Sequence, residues 1–213
     1  MKLKVKKKGR KKTFNLITSW EDVTLEKWLK LISLEGLTGA KESLEIISVL
    51  SDMPKKLILE LGINDVAKIM TRLNNMHREE EVKLKMLFEL EGKEYAFHPQ
   101  LEDMTLGEWA DIETFIKEGL ENNLHNIMAV LFRPVIEREN EAYIIQAYDG
   151  NIAVRAEKFK KMSAEQVKAA LVFFWTFVNA FSTILLSYLK ERLKEKPKPS
   201  LTKTLAPNGV ISQ

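Results

Sequence analysis

Two pairs of adjacent carboxylates are the residues whose types and spacing come nearest to a chemical site. They are Glu21-Asp22 and Glu102-Asp103, and the same pattern, x-Thr-Leu-x-x-Trp, follows each pair. Adjacent carboxylates can bind a cation or act as general acid and base. They are also favoured just outside the positive N-terminal end of a helix. Because a helix-start pattern follows both pairs, we interpret them as structural acids.

No other pattern in the sequence indicates catalysis, a metal or a cofactor. The histidines, His77, His98 and His125, have no consistent ligand spacing, and the chain has no cysteine. A Gly-rich phosphate loop, a dinucleotide fingerprint and a G-x-S-x-G elbow are missing from the sequence. We expect Arg133, just before Pro134, to balance the C-terminal dipole of a helix. The sequence therefore predicts a protein that is not an enzyme and has no cofactor, catalytic residue or metal ligand.

Each acid pair belongs to a box, E-D-x-T-L-x-x-W, that predicts the start of a helix. Thr24 and Thr105 are suitable N-cap residues, since their side-chain oxygen can accept a hydrogen bond from a first-turn amide. Glu108 stands three residues after Thr105 and completes a capping box, whereas the other copy has lysine at that position. We call residues 20–28 the first box and residues 101–109 the second box.

Both boxes stand in the same order of predicted elements, which indicates a diverged tandem repeat. An alternating β-hairpin precedes each box, at residues 2–17 and 88–97. Two helices follow each box, and we expect the second of them to end at a proline. The hairpins and boxes share the offset between Thr24 and Thr105, but the second helices align best when this offset is shortened by one position. The pairs that support this slip are Leu44/Leu124, Ile47/Ile127, Leu50/Val130 and Pro54/Pro134.

The predicted fold is mainly α with small β-hairpins, an α+β class, in three parts. The length of 213 residues and the hydrophobic content of 45% suit a folded globular protein. Residues 1–81 form the first repeat with a basic N-terminal hairpin. Residues 82–195 form the second repeat with a long C-terminal helix, and residues 196–213 form an extended tail. Residues 135–160 have no counterpart in the first repeat and include an extended segment.

The first hairpin is strongly basic. Residues 1–12 contain eight basic residues and no acid, so the rest of the chain carries −5 within a total of +3. The lysines can protect an edge strand against aggregation, or they can contact phosphates or another acidic partner. No aromatic residue interrupts the run, so base stacking is not indicated. The candidate contacts to nucleic acid or an acidic partner are Lys4, Lys6, Lys7, Lys8, Arg10, Lys11 and Lys12.

The most apolar stretch, residues 169–189, has no charged residue and follows a predicted capping box, Ser163-x-x-Gln166. Its length suffices to span a bilayer. Polar residues at helical spacing and basic residues at both ends favour a helix that is buried in a bundle or an interface instead. Such an apolar helix indicates self-association or a partner. The candidate interface residues are Phe173, Phe174, Phe177 and Phe181.

Residues 196–213 start with Lys-Pro-Lys-Pro, which excludes a helix at that point. One interpretation is a disordered tail. The other is an extended arm that becomes ordered on a neighbouring molecule. The candidate anchors of such an arm are Leu201, Leu205, Val210 and Ile211.

Three segments carry a resemblance to a known family: Met104-Thr-Leu-Gly-Glu-Trp-Ala-Asp-Ile-Glu113, Asn126-Ile-Met-Ala-Val-Leu-Phe-Arg-Pro134, and the helix from Phe173 to Leu189. Together they resemble small proteins encoded by tailed bacteriophages, including crAss-like phages. The resemblance covers residues 104–190, and its motifs are packing motifs. It implies a role in the virion or in virion assembly and brings no catalytic residues.

The leading hypothesis is a non-enzymatic virion structural protein, an accessory or connector protein of the capsid, portal vertex or neck. It would assemble in the host cytoplasm and bind other virion proteins, with self-association and non-specific DNA contact as further expectations. One alternative is a phage tail assembly chaperone that does not stay in the virion. Another is a membrane-active ejected protein that uses residues 169–189.

Overall fold

The structure is a computed structural model, and it describes residues 1–7, 10–76, 82–140 and 142–195. These residues form helices and two small antiparallel sheets, which confirms the predicted α+β class. The chain divides into an N-terminal unit, Met1–Phe174, and a C-terminal unit, Trp175–Gln213. The predicted boundary between residues 81 and 82 borders residues 77–81, which lie outside the described residues, and it stays a prediction.

The first half begins with the predicted hairpin. Its strands pair in antiparallel register, with Leu3 opposite Phe14 and Val5 opposite Lys12. Leu3, Val5 and Phe14 pack against a core that includes Ile47 of the second helix and Ile69 of the fourth. The elements are β1 (Lys2–Lys7), β2 (Arg10–Asn15), α1 (Leu25–Ile32), α2 (Gly39–Leu50), α3 (Lys55–Ile58) and α4 (Ile63–Asn74).

The second half contains the larger sheet, in which four strands pair in chain order. Its first hairpin turns through Glu91 and Gly92, which both have positive φ, as a two-residue hairpin turn of the favoured hand requires. The elements are β3 (Leu87–Leu90), β4 (Lys93–Phe97), α5 (Leu106–Lys117), α6 (Leu120–Leu131), β5 (Phe132–Glu139), β6 (Ala142–Ile145), α7 (Ala153–Phe159) and α8 (Ala164–Glu195).

The same backbone hydrogen bond joins hairpin to helix end in both halves. Ile17 N donates to Leu50 O at 2.8 Å, and His98 N donates to Leu131 O at 2.8 Å. Both carbonyl groups belong to the last residue of a twelve-residue helix, α2 or α6. We call β1, β2, the first box, α1 and α2 the first motif, and β3, β4, the second box, α5 and α6 the second motif.

The predicted slip between the second helices is wrong. Helix α6 begins and ends at the same offset from α2 that separates Thr105 from Thr24. The apolar pattern misled the alignment because α6 is buried on almost all sides. Its buried residues therefore offer matches to α2 with or without a slip of one position. They are Leu124, Ile127, Met128, Ala129, Val130 and Leu131.

The predicted helix end at Pro134 is also wrong. Helix α6 ends at Leu131, and the chain continues at once as β5, so Arg133 and Pro134 are strand residues opposite Ala96 and Tyr95. A proline is tolerated there because Pro134 lies near the start of β5, next to the register shift between Val135 and Glu137. In the first motif the corresponding contact is a single bridge, Leu16 opposite Ser51.

The start of α8 pairs with the first box. Ala164 N donates to Val23 O at 2.8 Å, and Leu25 N donates to Met162 O at 2.8 Å. Thr24 and Ser163 face each other between these two bonds as an antiparallel bridge. Val23 and Leu25 are fully buried. This contact fixes the position of the first turns of α8 on the first motif.

The capping box predicted from Ser163 and Gln166 is wrong. The Gln166 side chain accepts a hydrogen bond from Lys85 N at 2.8 Å and donates one to Lys83 O at 3.1 Å. The amide thus pairs with one donor and one acceptor of the backbone before β3. The Ser163 hydroxyl makes no hydrogen bond to the described residues.

Residues 175–195 continue α8 as a helix, and residues 196–213 lie outside the described residues. Among the helices of the described residues, none is both long enough and apolar enough to cross a membrane.

We expect Leu25→Ala to lower the free energy of unfolding by about 2–5 kcal/mol, because it deletes a fully buried leucine. Leu106→Ala, at the same position of the second box, should change it by less than about 0.5 kcal/mol, since Leu106 is 84% exposed. Urea denaturation at low protein concentration measures both values. Equal losses in the two variants would contradict this assignment of the two leucines.

Candidate functional site

The two acid pairs lie where the structural interpretation places them, in short 3-10 turns just before α1 and α5. All four carboxylates are exposed. Both predicted N-caps are confirmed: Thr24 Oγ1 accepts from Lys27 N, and Thr105 Oγ1 accepts from Glu108 N, each at 3.3 Å. Within the described part of the chain, no group of three or more His, Asp and Glu residues is arranged to hold a metal ion.

The predicted capping box of the second motif is confirmed, and it extends into a buried ionic cluster. Glu108 Oε2 accepts from Thr105 N at 2.6 Å. The other oxygen, Oε1, lies 2.9 Å from Arg133 Nη2 and 3.7 Å from His98 Nε2. The side chains of Glu108, Arg133 and His98 are all less than one tenth exposed. No local pattern indicated this cluster, because its members come from a helix start, a strand and the residue after another strand.

The role expected for Arg133, a partner of a helix dipole, is therefore corrected. Arg133 lies on β5, where its guanidinium group pairs with Glu108 and lies 6.0 Å from the ring centre of Tyr148. Removing one partner of a buried ion pair typically costs about 3–5 kcal/mol, because the other charge stays behind in a poor solvent. The pair thus fastens the second box to the larger sheet.

Burial controls the protonation of this cluster. It lowers the pKa of His98, against a smaller raising effect of Glu108. It also lowers the pKa of Arg133, again against the attraction of Glu108. Tyr148 donates a hydrogen bond to Asp111, and burial together with this bond raises the pKa of the tyrosine. The cluster therefore holds a neutral histidine beside a charged pair, with little surface on which a substrate could touch it.

The basic hairpin brings like charges together. Its register sets Lys6 opposite Lys11 and Lys7 opposite Arg10. Like charges directly opposite each other destabilise a strand pair. Strand β1 has no partner on its outer edge within the described residues. The hairpin end thus places basic residues opposite basic residues in the backbone register.

The predicted contact residues of the hairpin fall into three groups. Lys4 and Lys12 have exposed side chains, as does Lys2 beside them, and no salt bridge joins these three to a carboxylate of the described residues. The second group is described only by its backbone pairing in β1 and β2, and it consists of Lys6, Lys7, Arg10 and Lys11. The third group is Lys8 alone, which lies outside the described residues.

The predicted apolar interface divides between neighbouring residues of α8. Phe174 is only 2% exposed, and its ring centre lies 6.0 Å from that of Trp109. Phe173 is 43% exposed and meets the ring of Phe97 edge-on at 5.5 Å. Phe173 therefore offers surface to a partner, whereas Phe174 belongs to the core.

The remaining candidates for that interface lie further along the chain. Phe177 and Phe181 are in the helical part of the C-terminal unit, which is described by itself. The predicted anchors of the tail, Leu201, Leu205, Val210 and Ile211, lie outside the described residues.

Comparisons with known proteins give no match: no protein-family model, no curated protein and no solved structure is significantly similar to this chain. The resemblance to tailed-bacteriophage proteins therefore rests on the three quoted segments.

We expect the free energy of unfolding to fall as the pH is lowered below about 6.5, the usual pKa of histidine. The pKa of folded His98 lies below that of the unfolded chain, so its contribution is complete above the unfolded value and is lost as the pH falls through the folded one. Burial shifts the pKa of His125 in the same direction.

Urea denaturation at about pH 7.5 and about pH 5.5 measures this loss. His98→Gln should reduce the loss while the His125 contribution stays, and His125→Gln provides the reverse comparison. An unchanged pH dependence in His98→Gln would show that His98 is not held neutral by burial.

Proposed function

We propose that the chain is a tandem duplication of one hairpin–box–helix–helix motif, followed by a long C-terminal helix and an extended tail. Three repeated features support the duplication. The 3-10 turns Trp20–Asp22 and Leu101–Asp103 precede the helices, the capping threonines bond alike, and the helix ends close with the same hydrogen bond. Helices that begin at one constant offset, with α2 and α6 also equal in length, are a simple result of copying a segment.

We propose that the protein is a non-enzymatic bacteriophage virion structural protein, an accessory or connector protein of the capsid, portal vertex or neck. The resemblance of residues 104–190 supports the virion role. The observation that carries a binding function is the basic hairpin, in which opposed lysine and arginine residues lack acidic neighbours in the sequence. Such a surface is suited to an electrostatic contact, since Lys2, Lys4 and Lys12 are exposed on the same hairpin.

The hairpin contact is proposed to be electrostatic. Non-specific binding to DNA depends on neutralised phosphates and weakens steeply with salt. An acidic protein surface would show weaker salt dependence, since fewer condensed counterions are released. Leu3 and Phe14 anchor the base of the hairpin in the core, so its charged end is held on a folded support.

We expect the chain to be present in purified particles of the phage that encodes it, at a fixed ratio to the portal or capsid protein. Quantitative mass spectrometry of particles purified through a density gradient measures that ratio. A non-structural protein of the same phage serves as the control for contamination. Presence in infected cells but absence from particles would contradict the structural role and favour an assembly chaperone.

We expect the variant Lys2→Gln/Lys4→Gln/Lys12→Gln to weaken DNA binding. The slope of the logarithm of the binding constant against the logarithm of the salt concentration should decrease in magnitude by about 0.9 for each phosphate that is no longer neutralised. The three side chains are exposed, so the fold should persist. The matched control Lys41→Gln/Lys56→Gln/Lys93→Gln removes the same charge from exposed positions away from the basic hairpin. Fluorescence anisotropy over a range of salt concentrations measures both. Equal effects of the two variants would assign binding to net charge rather than to the hairpin.

A further inference from the structure

Two helix starts pair with each other inside the N-terminal unit. Val23-Thr24-Leu25 leads into α1 and Met162-Ser163-Ala164 leads into α8, and both read apolar–hydroxyl–apolar. Each segment gives one amide donor and accepts with one carbonyl group, through the bonds from Ala164 N to Val23 O and from Leu25 N to Met162 O. The exchange has local two-fold symmetry. A segment of this kind therefore has the donor and acceptor positions needed to pair with a copy of itself.

The second box contains a third segment of the same kind, Met104-Thr105-Leu106, and no other segment of the described residues pairs with it. Thr105 has φ −70° and ψ 156°, close to φ −73° and ψ 158° of Thr24. Leu106 is 84% exposed, whereas the equivalent Leu25 is fully buried. Among the described residues, no backbone hydrogen bond reaches Leu106 N or Met104 O. The backbone is thus already in the pairing conformation, and its donor and acceptor have no backbone partner in the described part of the chain.

We propose that the second box binds the second box of another copy of this chain, in a two-fold symmetric dimer. Leu106 N donates to Met104 O of the partner copy, and the partner's Leu106 N donates in return. Thr105 of each copy lies at the symmetry axis, as Thr24 and Ser163 face each other in the intramolecular pair. An isologous contact of this type closes after two copies.

The surroundings of the second box suit a close approach. Gly107 stands where the first box has Glu26, and a Cβ atom there would have only Thr105 Oγ1 within 4 Å, at 3.9 Å. Trp109 lies one helical turn beyond Leu106, on the same face of α5, and is 37% exposed. Leu106 and Trp109 together therefore supply an apolar face beside the paired backbone.

Charge sets the conditions under which this dimer forms. In the antiparallel register Asp103 lies opposite Gly107 of the partner, so the acid pairs Glu102-Asp103 do not face each other directly. The four carboxylates still add negative charge around one small interface. Screening by salt should therefore strengthen the dimer, which is the opposite of its effect on the basic hairpin.

The interface is small, and the association should accordingly be weak. Stable complexes bury at least about 1,000 Å² in total, more than two three-residue segments provide. The leucine and tryptophan side chains must contribute, and the dimer should populate only at high protein concentration. This inference goes beyond the proposed virion role, and it can fail or hold whether or not the chain is found in particles.

Sedimentation equilibrium of the full chain tests the proposal. We expect a monomer–dimer equilibrium that shifts toward dimer as salt is raised. Leu106→Pro removes the required N–H, yet proline is accommodated at the first position of a helix, and the extended Thr105 tolerates a following proline. Its dimer dissociation constant should rise at least about tenfold above that of Leu106→Ala, which keeps the N–H.

Circular dichroism should show unchanged helix content in both variants. Leu59→Ala, a change at another exposed leucine, is the matched control and should leave the dissociation constant unchanged. A chain that stays monomeric at every soluble concentration overturns the proposal. So does a dimer that Leu106→Pro and Leu106→Ala weaken equally, because the backbone exchange would then have no role.

Discussion

The exchange of hydrogen bonds between Val23–Leu25 and Met162–Ala164 is the interaction on which the rest of the N-terminal unit depends. A helix start leaves backbone groups without partners, and burying them is costly unless another segment pairs with them. Here each of two helix starts provides the hydrogen-bond partners for backbone groups of the other. The same contact fixes the start of α8, and α8 then carries Phe173 and Phe174 to Phe97 and Trp109 of the second motif. One small bridge thus fixes the first turns of α8, through which the first motif is connected to Phe97 and Trp109 of the second.

Charged side chains at equivalent positions of the two motifs have different partners. Lys27 corresponds to Glu108 and Asp52 to Arg133, so the signs of charge are exchanged between the motifs. In the first motif these side chains bond to backbone and to Asn15: Lys27 Nζ donates to Val49 O, and Asp52 accepts from Asn15. In the second motif they pair directly and are buried. In the first motif Asp52 is exposed, whereas Arg133 is a residue of β5, which pairs with β4 in the larger sheet.

Local signals in the sequence predicted the elements that depend on local physics. The hairpins, the capping threonines and the helices after them follow from alternation, caps and apolar stripes, and the structure confirms them. The failures concern long-range contacts. Gln166 bonds to Lys83 and Lys85 instead of capping its own helix, and Arg133 lies in a strand because β4 provides its partner. No pattern within a few residues reports such partners, which also explains why the ionic cluster around Glu108 was missed.

The two motifs are complementary in what they leave free. In the second motif β5 pairs with the outer edge of β4, but the box is open. In the first motif the box is covered by the start of α8, whereas within the described residues the outer edge of β2 has only the bridge from Leu16 to Ser51, and the hairpin carries basic charge. Each motif therefore uses one of its two exposed backbone elements inside the molecule and presents the other. A fold of two similar motifs can bind two unlike partners in this way, because intramolecular contacts have covered a different element in each motif.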